Sequence, residues 1–154
     1  MKKQMGKIIG VLVMSALLTG CGSKDIQIDV NALGNDLNTQ IEYQDELMQI
    51  DADMAAMFLN LSELDIVNCA IYEGSGATAE EIVVIECADE SNAKNAQNVL
   101  SERVAEQKES FTDYVPEEIP KLDSAVIRIC GKYAILSVSG DAKKAQSIID
   151  GYTK

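Results

Sequence analysis

The chain has no histidine in 154 residues and only two prolines, at positions 116 and 120. Without imidazole, His-ligated metal spacings are missing, and a cysteine nucleophile has no histidine to activate it. None of the four cysteines stands in a Cys-x-x-Cys pair, which removes zinc-finger spacings as well. Cations are scarce: 13 Lys+Arg face 25 Asp+Glu, for a net charge of −12. Such a surface repels phosphate backbones and anionic headgroups, so no nucleic-acid partner and no polybasic membrane contact is expected. Solubility alone would account for the charge, and basic partners stay open. No cofactor is expected.

Residues 8–19 form a largely apolar run behind Lys2, Lys3 and Lys7. At ~1.5 Å rise per residue this run covers about 18 Å, short of a ~30 Å hydrocarbon core. It reads as the apolar part of a signal peptide and not as a permanent span. It ends in Leu18-Thr19-Gly20-Cys21, which resembles the lipobox of bacterial lipoprotein precursors. The resemblance implies cleavage before Cys21, thioether linkage of its sulfur to diacylglycerol, and a membrane partner reached through that lipid. Two or more acyl chains give stable attachment, each buried methylene contributing about 0.8 kcal/mol. The expected organisation is a signal peptide over 1–20, a lipidated N-terminus and tether over 21–24, and a single α+β domain over 25–154. The expected location is the extracytoplasmic face of the cell membrane.

Removing residues 1–20 takes away three lysines and no acid, which leaves 10 Lys+Arg against 25 Asp+Glu, a net charge of −15. A chain near this length buries about 68–70% of its unfolded surface, enough for one core. With Cys21 lipidated, Cys69, Cys87 and Cys130 remain, an odd number that leaves at least one free thiol. Cys69 and Cys87 read as small core residues, with a cross-strand disulfide as the alternative.

Val30, Leu33, Leu37 and Ile41 place one apolar stripe on a helix, with Asn31, Asn35, Asp36 and Asn38 on its wet side. Residues 46–50 suit a short strand ended by Asp51, a helix N-cap. Met54, Met57, Phe58 and Leu61 follow at i, i+3, i+4 and i+7, which predicts a core stripe; copper ligation by methionine is the alternative. Residues 66–72 and 82–87 are β-branched-rich runs flanking Gly74-Ser75-Gly76, a hairpin with a longish loop. Asp89 or Ser91 caps the longest helix, whose apolar face is Ala93, Ala96, Leu100, Val104 and Phe111. The prolines then predict an ordered but irregular connection over 111–122.

Residues 125–130 and 133–138 are joined by Gly131-Lys132, a two-residue loop that sets the register. Cys130 should face Tyr133, Ile129 Ala134, Arg128 Ile135, and Ile127 Leu136. Ile127, Ile129, Ala134 and Leu136 then line the core side, while Arg128, Cys130 and Tyr133 take the other. Asp141 caps a last helix carrying Ala142, Ala145, Ile149 and Tyr152. Residues 93–100 and 142–149 agree at four positions, each after a hairpin and an Asp cap, as two ββα units would. Two amphipathic helices built from common residues would also match by chance. The element order αβαββαββα predicts an α+β fold: a mainly antiparallel sheet of four to five strands with helices on one face.

Tyr114-x-Pro116, Pro120-x-Leu122, Ala125, Gly131-x-Tyr133 and Asp141-x-x-x-Ala145, behind a lipobox, resemble the lipoprotein family described as domain of unknown function 4358. The resemblance covers most of the chain after Cys21 and is strongest over 111–152. It implies an extracytoplasmic lipoprotein and carries over no catalytic residue.

Ser91-Asn92-Ala93-Lys94 matches the Ser-x-x-Lys of penicillin-binding enzymes, but the companion Ser-Asp-Asn and Lys-Thr-Gly motifs are absent and the chain is too short for that fold. A helix cap beside a solvated lysine is the simpler account. Asp51/Asp53, Glu80/Glu81 and Glu117/Glu118 are paired acids that read as solvated surface, because neighbours on a strand or helix do not face one another. Asp51-Ala52-Asp53 begins like a calcium loop but lacks its Gly and Glu. No catalytic residue and no metal ligand is assigned.

Two surfaces are candidates for binding. One is the connection over 111–122, with Phe111, Tyr114, Pro116, Glu117 and Pro120, for which a lid over the sheet edge is the alternative. The other is the open sheet face with Arg128, Cys130, Tyr133 and Ile135. The leading expectation is a non-enzymatic binding or accessory module that meets an envelope protein or a small ligand. The alternatives are a small carboxylate hydrolase acting on envelope material, which needs two acids with shifted pKa values in a deep cleft, and a ligand carrier with a sizeable apolar cavity.

Overall fold

Four aspartates start four of the helices in the computed structural model, which describes residues 26–154. Asp29 precedes α1 (Val30–Gln40), Asp51 precedes α2 (Ala52–Phe58), Asp89 precedes α3 (Glu90–Tyr114), and Asp141 precedes the last helix (Ala142–Tyr152). Each carboxylate accepts from a backbone N–H three residues on, at 2.8–3.0 Å, and so satisfies one otherwise orphaned donor. The leader, the lipobox and Cys21 lie outside the described residues.

The strands β1 (Met48–Ile50), β2 (Ile66–Glu73), β3 (Glu81–Cys87), β4 (Val126–Cys130) and β5 (Tyr133–Val138) form one antiparallel sheet in the order β1-β2-β3-β5-β4. The α+β class and the antiparallel sheet follow the sequence patterning. The β4–β5 register is the one its two-residue loop predicts, from Cys130↔Tyr133 to Ile127↔Leu136, with Gly131 at φ +54°. The connection over 111–122 is more regular than expected. After α3 comes a 3-10 turn (Pro116–Glu118) and then α4 (Ile119–Asp123), which leaves α5 as the last helix. Both prolines sit in the first turn of a helical segment, where a missing N–H is harmless.

The helices, expected on one face, are divided between two. On one face α1 and α5 bury Leu33, Leu37 and Ile149 against Tyr72, Ile82, Val84 and Ile135. On the other, α2, α3 and α4 bury Ala55, Ala96, Leu100 and Leu122 against Ile71, Val83, Ile85 and Leu136. The physical sign of this is the unbroken apolar run over 82–85 and again over 134–136: a strand covered on both faces has no reason to alternate. The two ββα units meet where β3 pairs with β5, but they send α3 and α5 to opposite faces.

One further expectation is corrected, and the cysteine alternatives are resolved. Met54 and Met57 are 45% and 82% exposed, so they form no core stripe. Helix α2 ends at Phe58 and Asn60 turns left-handed at φ 52°, so helical periodicity does not reach Leu61; Ala55, Leu59 and Leu61 are buried instead. Cys69 lies opposite Ile85, and Cys87 opposite Ile66, so the two do not pair across the strands; Cys69, Cys87 and Cys130 are all free thiols.

Candidate functional site

Arg103, Gln107 and Phe111 recur every four residues along α3 and form one wall of a cleft of about 420 Å³. Its floor is the end of the sheet. Met48 and Ile50 share a face of β1, and Glu73 of β2 lies opposite Met48. Met54 of α2 forms the second wall, and Gly74, Ser75, Gly76 and Thr78 of the β2–β3 loop complete the lining. The volume falls in the range of small-molecule sites, and the lining sets four large apolar side chains, Met48, Ile50, Met54 and Phe111, beside a polar side that includes Glu73, Glu80 and Arg103.

The polar part of the floor is one guanidinium between two acids. Arg103 donates from Nε to Glu81 Oε2 at 2.6 Å and from NH2 to Glu73 Oε1 at 3.0 Å, and Glu73 and Glu81 are register partners on β2 and β3. Burial pushes the Glu81 carboxyl up to about 8; Arg103 opposes that shift and the neighbouring Glu73 adds to it. One cation faces two carboxylates, and burial disfavours the charge on the inner one, Glu81. Glu81 Oε1 and Gln107 Oε1 are buried with no hydrogen-bond partner among the described residues.

A second network holds the loop side of the cleft, through Glu80 and Ser75. Lys121 Nζ meets Glu80 Oε1 and Glu118 Oε1, both at 3.0 Å, and Gln44 Oε1 at 2.7 Å. Glu80 Oε2 accepts from the backbone N–H groups of Gln44 and Asp45, and Glu118 Oε2 from that of Ala79. The Ser75 hydroxyl and N–H both reach Asp45 Oδ2 at 2.6 Å and hold that carboxyl below its usual range. A Cβ at Gly74 would lie 2.6 Å from the same oxygen, so a larger residue there would displace the Asp45 carboxylate.

The residues singled out from the sequence are not brought together. Phe111 lines the cleft, whereas Tyr114 is 77% exposed and Pro116, Glu117 and Pro120 are exposed beyond it. Arg128 is half-buried and pairs with Asp150 at 2.9 Å. Tyr133 and Ile135 are fully buried in the cluster beneath α1 and α5, so the sheet face expected to be open is covered.

The paired acids are also corrected. Glu80 and Glu81 are buried, because both faces of the sheet are covered and neighbouring acids pointing opposite ways both end up inside; Glu118 is buried in the 3-10 turn against Ala79 and Lys121, while Glu117 is exposed. The legible signal was their position, with Glu80-Glu81 running straight into a doubly buried strand and Arg103 beside Leu100 and Val104 on the apolar side of α3. Asp51 and Asp53 are exposed, as are Ser91 and Lys94 on the first turn of α3. Among the described residues no group of three or more His, Cys, Asp or Glu could hold a metal ion, and no helix is long and apolar enough to cross a membrane.

A family model described as domain of unknown function (DUF4358) matches residues 39–139, a span that contains every residue of the cleft and of the Lys121 network. No curated protein and no solved structure matches the chain.

Proposed function

The chain belongs to the DUF4358 family, whose description names no activity, and from that starting point we propose a lipid-anchored, extracytoplasmic binding module whose ligand occupies the cleft between β1, α2 and α3. The observation that carries the binding reading is Met48, 66% exposed, and Met54, 45% exposed, standing over Ile50 and Phe111 on a floor fixed by ion pairs. Large apolar side chains left in water around a concavity mark an interaction site. Thioether side chains adapt their shape to what enters. The anchor rests on the lipobox resemblance at Cys21 and on the basic-then-apolar leader. The partners are the membrane, through that lipid, and either an envelope protein or a small ligand in the cleft.

A carboxylate hydrolase is the second reading, favoured by the raised pKa of Glu81 next to Glu73. Hydrolysis by two acids needs both to reach the scissile bond. Glu81 sits behind Arg103 and is not part of the cleft wall, which weighs for binding.

The test has two arms on the full chain in its membrane. Cys21→Ser should leave an unprocessed chain lacking lipid. A variant still processed and fractionating as before would end the anchored reading. Photocrosslinkers at positions 54 and 111 should capture the same species on intact cells, while one at exposed position 143 should not. Equal capture at all three would end the cleft reading.

A further inference from the structure

We infer that the cleft selects a free organic cation of low mass, with its ammonium or guanidinium group at Glu73 and an aliphatic or aromatic body against Met48, Ile50, Met54 and Phe111. This deepens the binding reading and rests on it.

Charge balance carries the assignment. The cleft wall and the groups bonded to it hold five carboxylates, Asp45, Glu73, Glu80, Glu81 and Glu118, against two cations, Arg103 and Lys121. With Glu81 carrying its proton, an excess of two negative charges remains, inside a chain whose net charge is −12. Both cations are already held by acids, so an entering anion would have to displace a carboxylate and would meet the same field. An entering cation displaces nothing. Glu73 keeps 23% of its side chain exposed, whereas Glu80 has both oxygens bonded, which makes Glu73 the accessible anion.

One more observation points the same way. Glu73 and Met48 are directly opposite on paired strands, with Cβ atoms about 5 Å apart in such pairs, so one small molecule can reach charge and apolar wall together. A volume of about 420 Å³ lies toward the small end of ligand sites and favours a free molecule over an extended peptide.

The experiment uses the full chain in lipid nanodiscs with methyl-13C methionine, the Met48 and Met54 signals being assigned by M48L and M54L. Hexylamine, hexanol and hexanoate share one apolar body and differ in head group. Hexylamine should shift both signals with an affinity at least about tenfold above hexanoate, in line with a charge pair worth about 1.4 kcal/mol. E73Q should remove that preference and leave the weaker hexanol shifts intact, which also reports that the cleft is still formed. F111A should weaken all three probes alike. Hexanol or hexanoate binding as tightly as hexylamine would overturn the cation assignment while the cleft stood as a binding site. A Lys-Leu-Lys peptide outcompeting hexylamine would overturn the free-molecule assignment. No shift of either methionine with any probe would overturn both this inference and the binding reading.

Discussion

Glu81 and Arg103 meet inside the protein with 2.6 Å between Oε2 and Nε, and Glu73 takes the other side of the same guanidinium at 3.0 Å. Two acids therefore share one cation, and the arrangement is neutral only when one of them is protonated. This is an expensive interior group held in one geometry, and it fixes how β2, β3 and α3 come together at the cleft.

The first prediction is a pH dependence. The Glu81 carboxyl titrates at about 8 in the folded chain against 4.5 in the open. The folded state thus binds the proton more tightly, and its contribution to stability is fully present below about 4.5 and lost as pH rises through about 8. Urea midpoints should fall over that window. Glu81→Gln, which cannot ionise, should flatten the slope; an unchanged slope would show that Glu81 is charged throughout.

Lys121 holds Glu80 and Glu118, both buried, and removing it strands two carboxylates. Lys121→Met should lower stability by about 3–5 kcal/mol in urea unfolding. Backbone amides of Gln44, Asp45 and Ala79, which donate to these carboxylates, should exchange faster with solvent than those of β3.

Gly34 lets α1 lie close on the sheet. A Cβ there would meet Ala70 Cβ at 2.9 Å and Tyr72 Cε2 at 3.0 Å. Gly34→Ala should destabilise by about 1–3 kcal/mol through overpacking, although alanine is the better helix former by about 1 kcal/mol. Ala70→Gly in the same chain should recover part of the loss.

Burial pushes the Cys87 thiol up, and nearby Asp89 and Asp65 add to the shift. In a Cys21→Ser chain, maleimide should label Cys87 only at the rate of unfolding, while half-buried Cys69 and Cys130 react sooner. Mass analysis should find no intramolecular disulfide.

Much of the local structure was legible because its causes lie within a few residues. An aspartate three positions ahead of an amide makes a cap, and Gly131-Lys132 allows one tight turn and one register. Phe111 alone of the sequence-marked surface residues reaches the cleft, and it was marked for its place beside the prolines. Gln107 carried no comparable signal, since one amide on a long polar helix looks like solvated surface until the opposing strand is known.

The amino-acid order by itself determined which residues share a face: the caps, the two main hairpins, the α3 stripe and the antiparallel α+β class all depend on periodicity and turn chemistry along the chain. Which faces are covered was settled only by tertiary packing. Segments from both ends of the described chain, α1 and α5, close over the side of the sheet that holds Tyr133. Helix α2 packs onto the sheet through Ala55, which leaves Met54 and Met57 on its wet side. Covering both sides of one sheet took Glu80 and Glu81 out of solvent, and a buried acid must find a cation or keep its proton, which is how the floor of the cleft acquired its charge.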